Sequence, residues 1–215
     1  MFYKRIYFIL LVSLCSITLH CKADTTKYPM YIGLTGGYGS TTWQGLVSTR
    51  NNETDAIIIS TPKNVTEGGA IWGVFAGYEF TPFFALEGNY THYPDAKVTF
   101  DPLSLVAFNY NGLIDLNTET ESVSLMAKIL MSIPRTYFRV YSSAGIADIH
   151  RNDQLKNSWQ ISPSFGVGVH YNFSERILFE AGVNYTAGYG ESELDPAEDY
   201  VPFLYSGFLR VAYRW

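Results

Sequence analysis

Residues 158–173 read Ser158-Trp159-Gln160-Ile161-Ser162-Pro163-Ser164-Phe165-Gly166-Val167-Gly168-Val169-His170-Tyr171-Asn172-Phe173. Trp159, Ile161, Phe165, Val167, Val169, Tyr171 and Phe173 alternate with Gln160, Ser162, Ser164, Gly166, Gly168, His170 and Asn172, the period-two pattern of a strand with one apolar face. The same alternation recurs at about 30–39, 70–80, 84–91, 121–131, 136–147, 176–187 and 203–215, which predicts eight strands. Their connections take turns in length. Those near 81–83, 132–135 and 173–176 are a few residues long, whereas those near 40–69, 94–120, 148–157 and 188–202 are longer. Short turns at one end and long loops at the other are the plan of a transmembrane β-barrel. Strands of about 10 residues are also long enough, when tilted, to cross the hydrocarbon.

Composition agrees with this plan. Of 215 residues, 16% are charged and 16% aromatic, whereas a soluble domain carries about 25% charged residues. Low-complexity disorder is excluded by the 47% hydrophobic content. After the first few residues there is no apolar run of about 18, so a helical membrane protein is not expected. An internal repeat supports the register. Tyr78-Glu79-Phe80-Thr81 is followed by Glu87 and Asn89-Tyr90-Thr91, and Tyr171-Asn172-Phe173-Ser174 by Glu180 and Asn184-Tyr185-Thr186. The two copies differ by two residues after the glutamate, which keeps every side chain on its face.

The first residues read as an export signal. Lys4 and Arg5 precede an apolar run from Ile6 to Leu14, and Cys21-Lys22-Ala23 has the small residues of a cleavage site. Residues 1–23 are therefore expected to be removed, leaving a barrel domain over 24–215. Loss of Lys4, Arg5 and Lys22 takes the net charge from −5 to −8, which argues against nucleic acid as a partner. Cys15 and Cys21 lie in the signal, so no disulfide is expected in the exported chain. His20 before Cys21 makes a poor lipid-attachment context.

Orientation follows from size. An eight-stranded cylinder has a narrow interior, which suits the face made of Gly, Ser, Thr, Asn and a few charges. The bulky face, with aromatics near the strand ends, suits lipid and its interfacial girdles. With that orientation, Glu79, Glu87, Lys128, Arg139, Glu180, Arg210 and Arg214 fall in the periplasmic half of the lumen. Buried charges there must pair, and a charge network over these seven residues is expected.

The chain resembles the eight-stranded outer-membrane barrels typified by the transmembrane domain of outer-membrane protein A and the opacity-type porin-family proteins. The resemblance rests on Phe165 to Phe173, on Phe84-Ala85-Leu86-Glu87 and on the aromatic Trp215. It implies an all-β, up-and-down transmembrane barrel in the outer membrane of a Gram-negative bacterium, with both termini periplasmic. It further implies that Leu209, Val211, Tyr213 and Trp215 form the strand read by the outer-membrane assembly machinery. The sequence stops at the eighth strand, so no peptidoglycan tether is carried over.

No catalytic, cofactor or metal site is expected. His92, His150 and His170 are scattered, and no His-x-Ser element accompanies them, so a lipid-modifying enzyme is the least favoured role. The role expected first is non-enzymatic, with surface recognition through the first two long loops and contact with outer-membrane lipid and lipopolysaccharide. A host or cell-surface ligand would meet those loops. Their apolar stretches are Ala56-Ile57-Ile58-Ile59-Ser60, Val98-Thr99-Phe100 and Leu103 to Phe108, and the plainest expectation is that the two loops pack together as continued hairpins. Glu191, Glu193, Asp195, Glu198 and Asp199 make the fourth loop an acidic tip. The alternative role is a narrow ion or small-solute channel gated by the lumen charges.

Overall fold

The computed structural model describes residues 27–43, 63–104, 107, 110–188 and 200–215. The expected signal, Ala56–Ser60, most of the 105–108 segment and the acidic tip lie outside the described residues. Among the described residues ten strands form: β1 (Met30–Thr42), β2 (Asn64–Thr66), β3 (Gly69–Thr81), β4 (Phe84–His92), β5 (Ala96–Thr99), β6 (Asp115–Ser132), β7 (Phe138–Asn152), β8 (Asn157–Asn172), β9 (Ile177–Thr186) and β10 (Phe203–Arg214). Eight of them make the wall. Each pairs antiparallel with its sequence neighbour, and β1 pairs with β10 from Tyr31↔Arg214 to Thr42↔Phe203, closing the cylinder. Closure leaves no wall strand with an unpaired edge, which a sheet in hydrocarbon requires.

Alternation fixes which side meets what. Leu34, Ile129, Ile161 and Leu209 are 59–70% exposed on the outside of the wall. Trp72, Phe165 and Val211 share that outer face, while Glu87 and Arg139 are buried inside. An apolar belt this continuous is far larger than a water-soluble monomer tolerates, and lipid is its medium. Aromatics gather towards the short-turn end: Tyr78, Phe80 and Phe84 pack edge to face or tilted, as do Tyr171, Phe173 and Phe179.

Two glycines let large lumen rings lie flat against the wall. A Cβ on Gly77 would stand 2.4 Å from the Tyr31 ring, and one on Gly33 would stand 2.7 Å from the Phe75 ring. Substitution at either position therefore pushes an aromatic into an already filled lumen.

Two strands run past their expected ends. β6 begins at Asp115 rather than near 121, and β7 continues to Asn152 rather than ending near 147. The extensions stand above the membrane band, where each carries one apolar residue, Leu116 or Ile149, among polar ones, and the apolar contrast that marks a strand is weak. Their backbones are satisfied by pairing Glu119↔Asn152 and by a small sheet in which β2 pairs with β5 and β5 with β6. In their described parts the first two loops thus pack together as continued hairpins. Tyr110-Asn111-Gly112-Leu113 turns the chain back, with Asn111 and Gly112 at φ of 54° and 87° and Leu113 N–H donating to Tyr110 O, a primed turn that favours Asn-Gly.

Candidate functional site: lumen and extracellular platform

The lumen is filled in storeys. At the short-turn end, Glu79 is gripped by two guanidiniums. Arg139 donates to Glu79 at 2.7 and 3.2 Å, and Arg214 at 2.6 and 3.4 Å. Glu79 comes from β3, Arg139 from β7 and Arg214 from β10, so the tier spans the cylinder. All three are at most 6% exposed.

The next tier holds Glu87 and Glu180. Lys128 Nζ lies 2.6 Å from Glu87 and 3.0 Å from Glu180, and Arg210 Nη1 lies 2.9 and 3.2 Å from the same two carboxylates. Tyr31 and Tyr141 hydroxyls donate to Glu87 and Glu180 at 3.0 and 2.6 Å. His170 joins the tiers, with Nε2 2.7 Å from Glu180 and Nδ1 3.5 Å from Arg139. The Arg210 guanidinium also lies over the Phe208 ring at 4.0 Å. All seven charges expected in the lumen meet here. Tyr31, Tyr141 and His170 are members that strand alternation alone places inward without identifying their partners.

The lumen is greasier than its expected lining of small residues. Ile71, Tyr93, Ile149, Val201, Leu204 and Phe208 form a buried apolar cluster in the half nearer the long loops. Tyr31, Phe75, Leu178 and Ala212 form a second cluster beside the charges. The rings of Tyr31 and Phe75 fit because each lies over a glycine of the adjacent strand, Gly77 and Gly33 respectively.

Above the wall sits a folded platform. Trp43, Ala96, Val98, Phe100, Leu116 and Tyr200 form its core, with Val65, Tyr110, Leu113 and Leu155 packed against it. Every one of the four long connections contributes. The Arg151 guanidinium lies 4.8 Å over the Trp43 ring and donates to Tyr200 O at 2.8 Å. Tyr200 OH donates to Thr42 O, and burial beside Glu67 raises the Tyr200 phenol above its ordinary pKa. Thr99 Oγ1 donates to Asp115 at 2.7 Å and Lys97 lies 3.3 Å away, so the Asp115 carboxyl is held below its ordinary pKa. Of the apolar loop residues named from sequence, Val98 and Phe100 are core, whereas Leu103 is exposed.

The histidines separate. His170 is in the lumen, but His92 and His150 stand on the outer face, 3.5 and 3.6 Å from opposite oxygens of Glu121. Trp72, His92, Glu121, His150 and Trp159 form one row across five paired strands. Tyr90 OH donates to Glu121 at 2.8 Å, and His150 stacks on Trp159 at 4.5 Å. No linear signal marks this row, because its members lie up to 87 residues apart and only the register aligns them. Among the described residues no three His, Cys, Asp or Glu side chains converge on a metal-sized site.

Residues 8–201 match the family described as outer membrane protein beta-barrel domain. No curated protein matches the sequence. Among solved structures, the chain is similar to Neisserial surface protein A, at 14% identity and a TM-score of 0.55, with 86% of this chain and 97% of that one covered. It is also similar to the outer membrane protein OprG from Pseudomonas aeruginosa, at 15% identity and a TM-score of 0.52, with 90% and 99% covered. At such identities the likeness is one of fold. The closed wall, its lipid-facing belt and the match over most of the sequence establish that the chain belongs to the outer-membrane β-barrel family and is an integral protein of the outer membrane.

Proposed function

We propose that this protein is a sealed, non-enzymatic barrel that presents a folded extracellular platform for surface recognition. The observation that carries the reading is the apolar core built by all four long connections directly above the wall. Free loops need no such core. A recognition surface does, because ordering its loops beforehand removes an entropic cost of binding. The platform would meet a host or cell-surface ligand, while the wall contacts outer-membrane lipid and lipopolysaccharide. Residues 1–23 would direct export, and the lipid-facing Leu209, Val211, Tyr213 and Trp215 would serve the assembly machinery.

The channel reading has less support. Passage would require parting two interlocked charge tiers and also the apolar cluster of Ile71, Tyr93, Ile149, Val201, Leu204 and Phe208. Dewetted apolar constrictions oppose ions strongly.

Two measurements test the proposal. Purified barrel in planar bilayers should be silent, and regular openings that vanish in Glu87→Gln or Arg139→Ala would favour the channel instead. Barrel in nanodiscs should bind components of a glycan and matrix-protein array, and replacing 101–113 by a short turn should abolish that binding. Retention of binding without the segment would place recognition elsewhere.

A further inference from the structure

We propose that the short-turn mouth of the barrel, on the periplasmic side, is a binding site for one small oxyanion, a phosphate or a carboxylate, which completes the charge balance of the lumen. Among the described residues the lumen carries four cationic side chains, Lys128, Arg139, Arg210 and Arg214, against three carboxylates, Glu79, Glu87 and Glu180. The excess has an address. In the upper tier two cations meet two carboxylates. In the lower tier Arg139 and Arg214 share Glu79, and among the described residues neither pairs with another acid. His170 adds no negative charge, and its Nδ1 faces Arg139 as an acceptor. The Nε of Arg139 and of Arg214 are both buried without a partner.

A buried cation without a counter-charge is costly, and the anion that relieves it can reach this tier from one side only. Towards the long loops stand the balanced tier and the apolar cluster. On the other side, a cavity of about 450 Å³ opens at the mouth, and Arg214 forms part of its wall. The remaining wall offers donors: the Lys27 ammonium, the Tyr28 and Tyr137 hydroxyls, the Asn172 amide and the Ser174 hydroxyl. Glu175, also on the wall, is already paired with Lys27 at 3.1 Å. A pocket of donors with one surplus buried cation at its floor is chemistry for a single oxyanion.

The test follows the heat-induced mobility shift of purified barrel in zwitterionic detergent. Sodium phosphate or sodium acetate is titrated at constant ionic strength set with chloride. The expected result is a saturable rise of several degrees in the unfolding midpoint, and the anion giving the larger rise identifies the preferred class. Two variants remove the surplus charge by opposite routes. Arg214→Gln deletes a cation, and Asn172→Asp supplies a carboxylate from the cavity wall. Both should lose the anion response, and Asn172→Asp should melt above the wild type in chloride alone. Should Arg214→Gln fail to fold, Asn172→Asp decides. The proposal is overturned if the wild-type midpoint follows ionic strength alone, or if Asn172→Asp responds to phosphate and acetate as the wild type does.

Discussion

Lys128 Nζ stands 2.6 Å from Glu87 Oε2, with both side chains at most 2% exposed and their residues 41 positions apart in sequence. Removing Lys128 leaves Glu87 and Glu180 to share the single cation Arg210 in a low-dielectric interior. Lys128→Met should therefore lower the unfolding free energy by about 3–5 kcal/mol, read by urea unfolding in lipid vesicles. Adding Glu87→Gln to Lys128→Met should cost less than the sum of the single changes. A strictly additive pair would show that the contact contributes nothing.

The platform core should melt without the barrel. Trp43 is fully buried, with its ring centroid 5.1 Å from that of Tyr200. Trp43→Ala should loosen the platform by about 3–5 kcal/mol. The expected readout is rapid protease cleavage in the long connections while the heat-mobility shift of the wall persists. Loss of that shift would mean that platform and wall unfold as one unit.

Lipid contact predicts an asymmetry along β10. Leu209 is 70% exposed at mid-strand, so Leu209→Arg should cost about 2–4 kcal/mol in a bilayer. Leu209→Ala should cost far less, because it leaves no internal cavity. Equal costs in vesicle unfolding would contradict a lipid-facing position.

Acid should loosen the β5–β6 extension. Its Asp115 carboxyl is held low by the Thr99 hydroxyl and then by Lys97, so the ionised form is favoured in the folded state. Such a group stabilises above the ordinary Asp value of about 3.9 and loses that contribution as pH falls through its lower folded value. Hydrogen exchange at Val98 and Leu116, corrected for intrinsic rates, should accelerate as pH drops below about 4. Asp115→Asn should flatten that dependence, and an unchanged profile in the variant would assign it to another group.

The number of wall strands, the lipid-facing set and the inward set were legible in the sequence, because alternation is a local property carried by each strand. Residues 158–173 illustrate this: every second side chain is bulky and apolar, and a narrow cylinder can turn that set only outward. Seven inward charges could likewise be named, since the cost of burial demands partners whatever the register. Their pairing could not be named. Glu79 chooses Arg139 and Arg214, and Glu87 shares Lys128 and Arg210 with Glu180, because closure of β1 on β10 sets relative heights around the barrel. The His92–Glu121–His150 row and the apolar cluster around Leu204 belong to the same class of facts. The extended ends of β6 and β7 do as well, since their mostly polar faces become strands only through partners contributed by other loops. Periodicity along one strand determines which way a side chain points, but its neighbours come from distant strands, and only the closed sheet brings them to a common level.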